Sequence, residues 1–244
     1  MRPVTAPVVV LVAPQLGENI GMAARAMANF GMAELRLVAP RDGWPNPAAA
    51  GPAVGAGAIL DAAVVFATTR EAVADMSHVV ATTARPRGQM KRVLAPDAAL
   101  ADLARRIGAG QRVGILFGPE RTGLGNDDVS LADAVLTFPV DPAFASLNLA
   151  GAVLLAGYEW ARTARAGPVA PDRPPPAGRA AVHALFDAVE AELDRAGFYP
   201  PDKRPVMSRN MRDMFHRMEL SEQDVRTWRG AIRALADGRA RRRG

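Results

Sequence analysis

Short, unbroken apolar runs recur along the first two thirds of the chain: Val8–Val12, Leu35–Val38, Val64–Thr68, Val79–Thr82, Val113–Phe117 and Ala134–Phe138. Each has the length of a buried strand and none alternates with polar residues, the pattern of strands covered on both faces. Segments of helical period lie between several of them, so the chain is expected to form an α/β fold on a parallel sheet. A first helix should begin near Asn19 and turn Ile20, Ala23, Ala24, Met27 and Phe30 inward, with Gly31 ending it and Arg25 off the stripe. Residues 40–58 carry no period and read as a long loop or loose helix. A last helix of this unit is expected over 148–165.

Five prolines within 167–178 mark a semi-rigid linker, which divides a main domain at 1–166 from a helical extension at 179–244. In the extension three amphipathic helices are expected: one on Val182, Leu185, Phe186, Val189 and Leu193, a second on Met207, Met211, Met214, Phe215 and Met218, a third on Val225, Trp228, Ile232 and Leu235. The methionine spacing is helical and reads as core packing. Ser221 with Asp224 is a capping signature for the third helix.

Composition narrows the chemistry. The 244 residues, 49% hydrophobic and 23% charged, suit a globular chain. Zero cysteines and three histidines leave out a disulfide framework, a thiolate nucleophile, an iron–sulfur cluster and an ordinary zinc site, so no metal is expected. No Gly-x-Gly-x-x-Gly follows a strand, Leu124 stands where a phosphate-binding loop needs lysine, and no Gly-x-Ser-x-Gly elbow occurs. His78, His183 and His216 are scattered and read as surface or packing residues. No apolar run reaches membrane-spanning length and the first residues show no signal pattern, so a cytoplasmic protein with no membrane partner is expected. The net charge of +5 is unevenly placed: residues 201–244 hold twelve basic and six acidic side chains, a surplus that suits a polyanion.

Three polar clusters remain, each after a predicted strand, where ligand sites of parallel sheets form. They are Pro14 to Arg25 closed by Asn29-Phe30-Gly31, Phe117 to Leu124, and Phe138-Pro139 with Ser146-Leu147-Asn148. Each alone could be an ordinary turn with a helix cap, Asn148 being a plausible N-cap. In this order they resemble the three motifs of the SpoU/TrmH branch of the SPOUT RNA methyltransferases, over nearly all of residues 7–165. Asn19, Gly21, Arg25, Asn29 and Gly31 match the first motif, Gly118, Glu120, Gly123 and Leu124 the second, and Ser146, Leu147 and Asn148 the third. Within the branch, Gly-Glu-Asn-Ile-Gly at 17–21, Thr82-Thr83-Ala84-Arg85 and the extension around Tyr199-Pro200-Pro201-Asp202 are most similar to the TrmJ group.

The resemblance implies an α/β domain with a deep C-terminal trefoil knot and a small helical extension. It implies S-adenosylmethionine as cofactor, held by Thr82, Thr83, Ala84, Gly118, Phe138, Ala145, Ser146 and Leu147. It implies methyl transfer to a ribose 2′-hydroxyl of tRNA, at cytidine or uridine 32 of the anticodon loop, by a homodimer. Arg25 would be the catalytic arginine; a guanidinium is a poor base, so its expected work is to clamp the adjacent phosphate and lower the hydroxyl's pKa. Ser146 and Asn148 would orient the ribose or support the loop, Glu120 would hold Arg25 or a backbone amide, and Asn19 belongs to the same set. Arg85 and Arg87 would reach RNA near the site, and extension arginines including Arg209, Arg212, Arg217, Arg226, Arg229 and Arg233 would meet tRNA phosphates. A ribosomal RNA ribose methyltransferase of the same branch and a non-catalytic RNA-binding module stand as alternatives.

Overall fold

A computed structural model describes residues 6–83, 91–164 and 174–241. Seven strands, β1 (Val8–Val12), β2 (Leu35–Val38), β3 (Val64–Phe66), β4 (His78–Thr82), β5 (Arg92–Leu94), β6 (Val113–Phe117) and β7 (Ala134–Leu136), form one sheet in the order β3-β2-β1-β6-β4-β7-β5. Every pairing is parallel; Leu11 registers with Leu37 on one side and Phe117 on the other. The apolar runs are continuous because both faces are covered. Val9 and Leu11 enter a core beneath α1 (Gly17–Asn29), α4 (Pro96–Gly108) and α6 (Leu149–Ala164), while Val8, Val10 and Val12 enter a second one facing α3 (Thr69–Ala72) and α5 (Asn126–Ser130).

The predicted strands are all present, with β3 and β7 two residues shorter than their apolar runs. The edge strand β5 adds a seventh that the pattern did not mark, because three residues on an exposed edge leave no run of their own. Helix α1 starts at Gly17, two residues early, with no side-chain cap. Its inward stripe is as expected, with Asn19 buried beside Ile20 and Arg25 in solvent. Residues 40–58 are more ordered than a loose loop. Asn46 caps a 3₁₀ turn at Pro47–Ala49, which packs on α1, and a short α2 (Gly57–Asp61) follows. Gly21 permits that packing: a Cβ there would lie 2.1 Å from the Ala49 carbonyl oxygen.

The extension comprises α7 (Arg179–Arg195), α8 (Arg204–Arg217) and α9 (Glu222–Arg241) around a small core of Val182, Leu185, Phe186, Phe215, Leu220 and Val225. Ser221 and Asp224 form the expected reciprocal bonds at the start of α9. The expected stripe is only in part the buried face. Phe215 is buried and Met211 packs against that core, but Met214 and Met218 are 40% and 42% exposed, and α8 also turns Ser208, Asp213 and His216 inward. Trp228 and Leu235 also stand largely in solvent. These departures share a cause: the extension docks on the main domain through polar groups, so hydrophobic periodicity does not report its buried face.

Candidate active site

The three polar clusters leave the carboxyl ends of β1, β6 and β7, and the fold brings them together on one edge of the sheet. Their junction is a chain of side-chain hydrogen bonds. The Glu120 carboxylate accepts from the backbone amide of Gln15 (2.9 Å), that of Leu16 (3.3 Å) and Asn19 Nδ2 (2.8 Å). Asn19 Oδ1 in turn accepts from Asn148 Nδ2 (3.1 Å), and Asn148 Oδ1 caps α6 by accepting from the amides of Ala150 (2.9 Å) and Gly151 (3.3 Å). The two ends of the Asn148 amide thus serve the expected helix cap and a link to Asn19 at once. Glu120 binds backbone amides of the first cluster and not Arg25.

Beside this junction opens a cavity of about 560 Å³, lined by Thr82, Thr83, Gly118, Phe138, Ala145, Ser146 and Leu147 among others. All seven had been assigned to cofactor binding from the sequence. The eighth, Ala84, lies outside the described residues, as do Arg85 and Arg87. The lining is mixed: apolar side chains such as Phe138, Val140 and Leu147 stand beside the polar Glu120, Arg121, Thr122 and Ser146. Thr82 Oγ1 is spent on the Leu116 carbonyl (2.8 Å) and Thr137 Oγ1 on that of Thr83 (3.0 Å), which fixes the strand ends around the opening. Gly118 is required by the bend: a Cβ would lie 2.2 Å from the Leu124 nitrogen, and Gly123, which closes that bend, has φ +65°. The sequence reading missed Val140, Pro142, Ala143 and the strongly exposed Phe144, which complete one wall. An apolar residue in a loop was the one available sign.

Arg25 does not line this cavity. It is exposed on α1 and, among the described residues, has no hydrogen-bond or ion-pair partner.

A second polar centre lies at the opposite, amino-terminal edge of β4, β5 and β7, where the extension docks. Lys91 Nζ donates to the Ser130 and Ala132 carbonyls (3.1 and 2.6 Å) and pairs with the buried Asp213 of α8 (2.7 Å). Arg179, fully buried, bonds Asp133 and His216, while Asp133 also accepts from the Val79 amide (2.7 Å). The amides of Arg179 and Ala180 donate to the Met76 and Ala74 carbonyls. Burial brings the Lys91 amine down to about 8 against the pull of Asp213, and burial brings Arg179 down to about 9, leaving it cationic at neutral pH. Burial followed by the neighbouring Arg179 charge lowers His183 to about 3 and His216 far below the usual imidazole value; His78 is lowered likewise by burial and Arg106. All three histidines are thus packing residues. The α8 arginines are drawn into the same contact: Arg212 donates to Ser130 Oγ (2.9 Å) and lies over the Phe186 ring, Arg209 faces Asp127 at 3.5 Å, and Arg217 lines a 110 Å³ internal cavity with His78 and Glu219.

The chain is a parallel α/β domain with a cavity at the carboxyl ends of β4, β6 and β7, joined to a basic helical extension. Residues 6–158 match the SpoU rRNA Methylase family and residues 180–244 match the tRNA methyltransferase TrmJ, C-terminal domain. The chain belongs to the SpoU methylase family. It is 35% identical over 236 residues, covering 92% of this chain and 91% of the other, to the tRNA (cytidine/uridine/adenosine-2′-O-)-methyltransferase TrmJ of Pseudomonas aeruginosa. The crystal structure of TrmJ from Z. mobilis ZM4 superposes with a TM-score of 0.86 at 47% identity, covering 95% of this chain and 100% of that one. The SpoU methyltransferase AviRb from Streptomyces viridochromogenes, solved in complex with AdoMet, shares the fold at 21% identity and a TM-score of 0.52, over 68% of this chain and 61% of that one. Among the described residues no cluster could hold a metal ion, and no helix is long and apolar enough to cross a membrane.

Proposed function

We propose that the chain is an S-adenosylmethionine-dependent tRNA methyltransferase acting on a ribose 2′-hydroxyl, at cytidine or uridine 32 of the anticodon loop. The observation that carries this reading is the convergence of Asn19, Glu120 and Asn148 beside a cavity lined by the seven residues assigned to the cofactor. The cavity fits that cofactor in size and chemistry. Its wall at Gly118 has no room for a side chain and Thr82 is engaged with main chain, which leaves backbone groups there, with Ser146 and Arg121 on the lining, to meet the cofactor. The donor supplies a methyl carbon on sulfonium, open to attack by oxygen. The remaining work belongs to the protein: to align the ribose hydroxyl and to ease its deprotonation.

Asn148 and Asn19, oriented by Glu120, hold the floor beneath Ser146, which stands at the cavity wall to orient the ribose. Arg25 lies outside the cavity of its own chain with no hydrogen-bond or ion-pair partner among the described residues, which supports a homodimer in which the partner subunit's Arg25 reaches this cavity. There a guanidinium clamps the phosphate next to the reacting ribose and stabilises the developing oxyanion. Exposed Met22 on α1 with Leu154, Leu155 and Tyr158 on α6 offers the apolar surface for that dimer. The family fold implies that the segments around Gly118 and Phe138 to Leu147 thread as a trefoil knot. The extension supplies affinity for tRNA.

The test is transfer of labelled methyl from S-adenosylmethionine to purified tRNA and to ribosomal RNA, followed by nuclease digestion and nucleoside mapping. A 2′-O-methylated cytidine or uridine at position 32 is expected. Incorporation into ribosomal RNA alone overturns the substrate, and cofactor binding without transfer to either RNA overturns the enzyme reading.

A further inference from the structure

Helices α7 and α9 run beside each other and leave an open groove of about 670 Å³ between them, on the extension. Its floor is small and apolar: Ala188 and Ala191 from α7, Gly230, Ile232 and Ala236 from α9. Its rims carry Arg195, Arg226, Arg229 and Arg233 with a single acid, Glu192, so the groove holds a surplus of three positive charges. These arginines differ from the others of the extension in how they are engaged. Arg204 pairs with Asp194, Arg209 faces Asp127, and Arg212 is tied to Ser130 and Phe186. Arg195 pairs with the half-buried Glu192 on its own helix, and Arg226 bonds only the neutral Gln223. Arg229 and Arg233 are exposed and have no partner among the described residues.

Leaving cationic side chains unpaired around a concave surface is unfavourable for the isolated chain, because like charges repel at close range. A ligand with repeated negative charge relieves that repulsion. Arg226, Arg229 and Arg233 lie at i, i+3 and i+7, so they form one stripe running about 10 Å along the helix. The small floor residues let a polymer backbone approach closely. A linear array of guanidinium forks on an alanine–glycine floor fits a phosphodiester backbone better than a compact anion.

We infer that the α7–α9 groove is the track on which this extension holds the tRNA phosphate backbone, and that the α8 arginines, committed to the main domain, are not. The inference rests on the reading of the chain as a tRNA-modifying enzyme and names the surface that the reading leaves open. Contacts of this kind give affinity without base readout, so they serve any tRNA whose reactive loop also fits the cavity.

The experiment uses the full chain with Arg226→Ala, Arg229→Ala and Arg233→Ala combined, and Arg209→Ala as a comparison. All four positions are on helix surfaces where alanine is the best helix former. tRNA affinity is measured against salt concentration, alongside S-adenosylmethionine affinity and dimer mass by light scattering. The triple variant is expected to bind tRNA about tenfold or more weakly at moderate salt, with a log–log salt slope shallower by about two to three, and unchanged cofactor affinity. Arg209→Ala is expected to stay within about twofold of the native chain. Native tRNA affinity in the triple variant overturns the inference, as does a lost dimer, which assigns the groove to self-association. Failure of the native chain itself to bind or methylate tRNA instead overturns the functional reading on which the inference rests.

Discussion

Glu120 ties three segments with one carboxylate, and its replacement separates holding from charge. Glu120→Gln keeps an acceptor for one amide of Gln15 or Leu16 but cannot serve both and Asn19 as a carboxylate does. A loss of about 1–3 kcal/mol in chemical denaturation is expected, with weaker cofactor binding. Arg25→Ala should behave in the opposite way. The exposed side chain makes no hydrogen bond or ion pair among the described residues, so stability and cofactor affinity should remain within a few fold while turnover falls by about a hundredfold or more. Calorimetry with S-adenosylmethionine and single-turnover assays read the two separately; loss of cofactor binding in the arginine variant contradicts its assigned role. At this scale the sequence was informative where motif residues sit on special backbone. Gly118, Asn19 and Asn148 could be named from their order along the chain, whereas Val140, Pro142, Ala143 and Phe144 could not, because an apolar wall in an irregular segment has no period to betray it.

Among the elements, α6 is capped by Asn148, which also links it to α1. Asn148→Asp retains the oxygen that caps Ala150 and Gly151 but offers no N–H to Asn19 Oδ1, and Asn148→Ala loses both. Thermal melts should place the alanine variant about 1 kcal/mol or more below the native chain, with the aspartate variant nearer to it. Transfer assays should find both impaired if the link to Asn19 matters for the reaction; full activity in Asn148→Asp reduces the residue to a cap. Strands were readable at this scale because both faces of the sheet are covered, which removes the alternation that confuses half-exposed strands. The face of α8 was not. Apolar spacing placed methionines inward, yet Ser208, Asp213 and His216 are buried there, since their partners are charged groups 18 to 122 residues away. No local window holds that information.

For the whole molecule, the extension is more than a tethered appendage, and removing it exposes a buried ionic centre. Truncation after Arg165 leaves Asp133 without Arg179 and Lys91 without Asp213. The expected product is a cofactor-binding unit with a clearly lowered melting temperature and weakened tRNA affinity; an undiminished melting temperature shows that the polar dock contributes nothing. Asp213→Ala alone should destabilise the full chain by about 3–5 kcal/mol, since it strands a buried ammonium. The three buried histidines set the acid limit. His183 titrates near 3 when folded and near the ordinary 6.5 when unfolded, so between those values the unfolded state binds the proton and stability falls as pH falls. His78 and His216 act in the same direction. Lys91 has the same sign at the alkaline end, its folded value near 8 lying under 10.5, so its burial cost is relieved as pH rises through that window. Melting temperature should therefore drop from pH 7.5 to 5.5, and His183→Asn should shrink the drop.

The bond chain from Glu120 through Asn19 to Asn148 spans 101 and 129 residues of sequence. Such closures are entropically late, because their loops must be ordered before the contact repays them. β1 can pair with the nearby β2, but the bonds of Asn19 in the first cluster cannot be completed until the polypeptide has grown past position 148. A ligand that recognises only the closed arrangement then acts as a late fastener, stabilising the native form by mass action in proportion to its concentration.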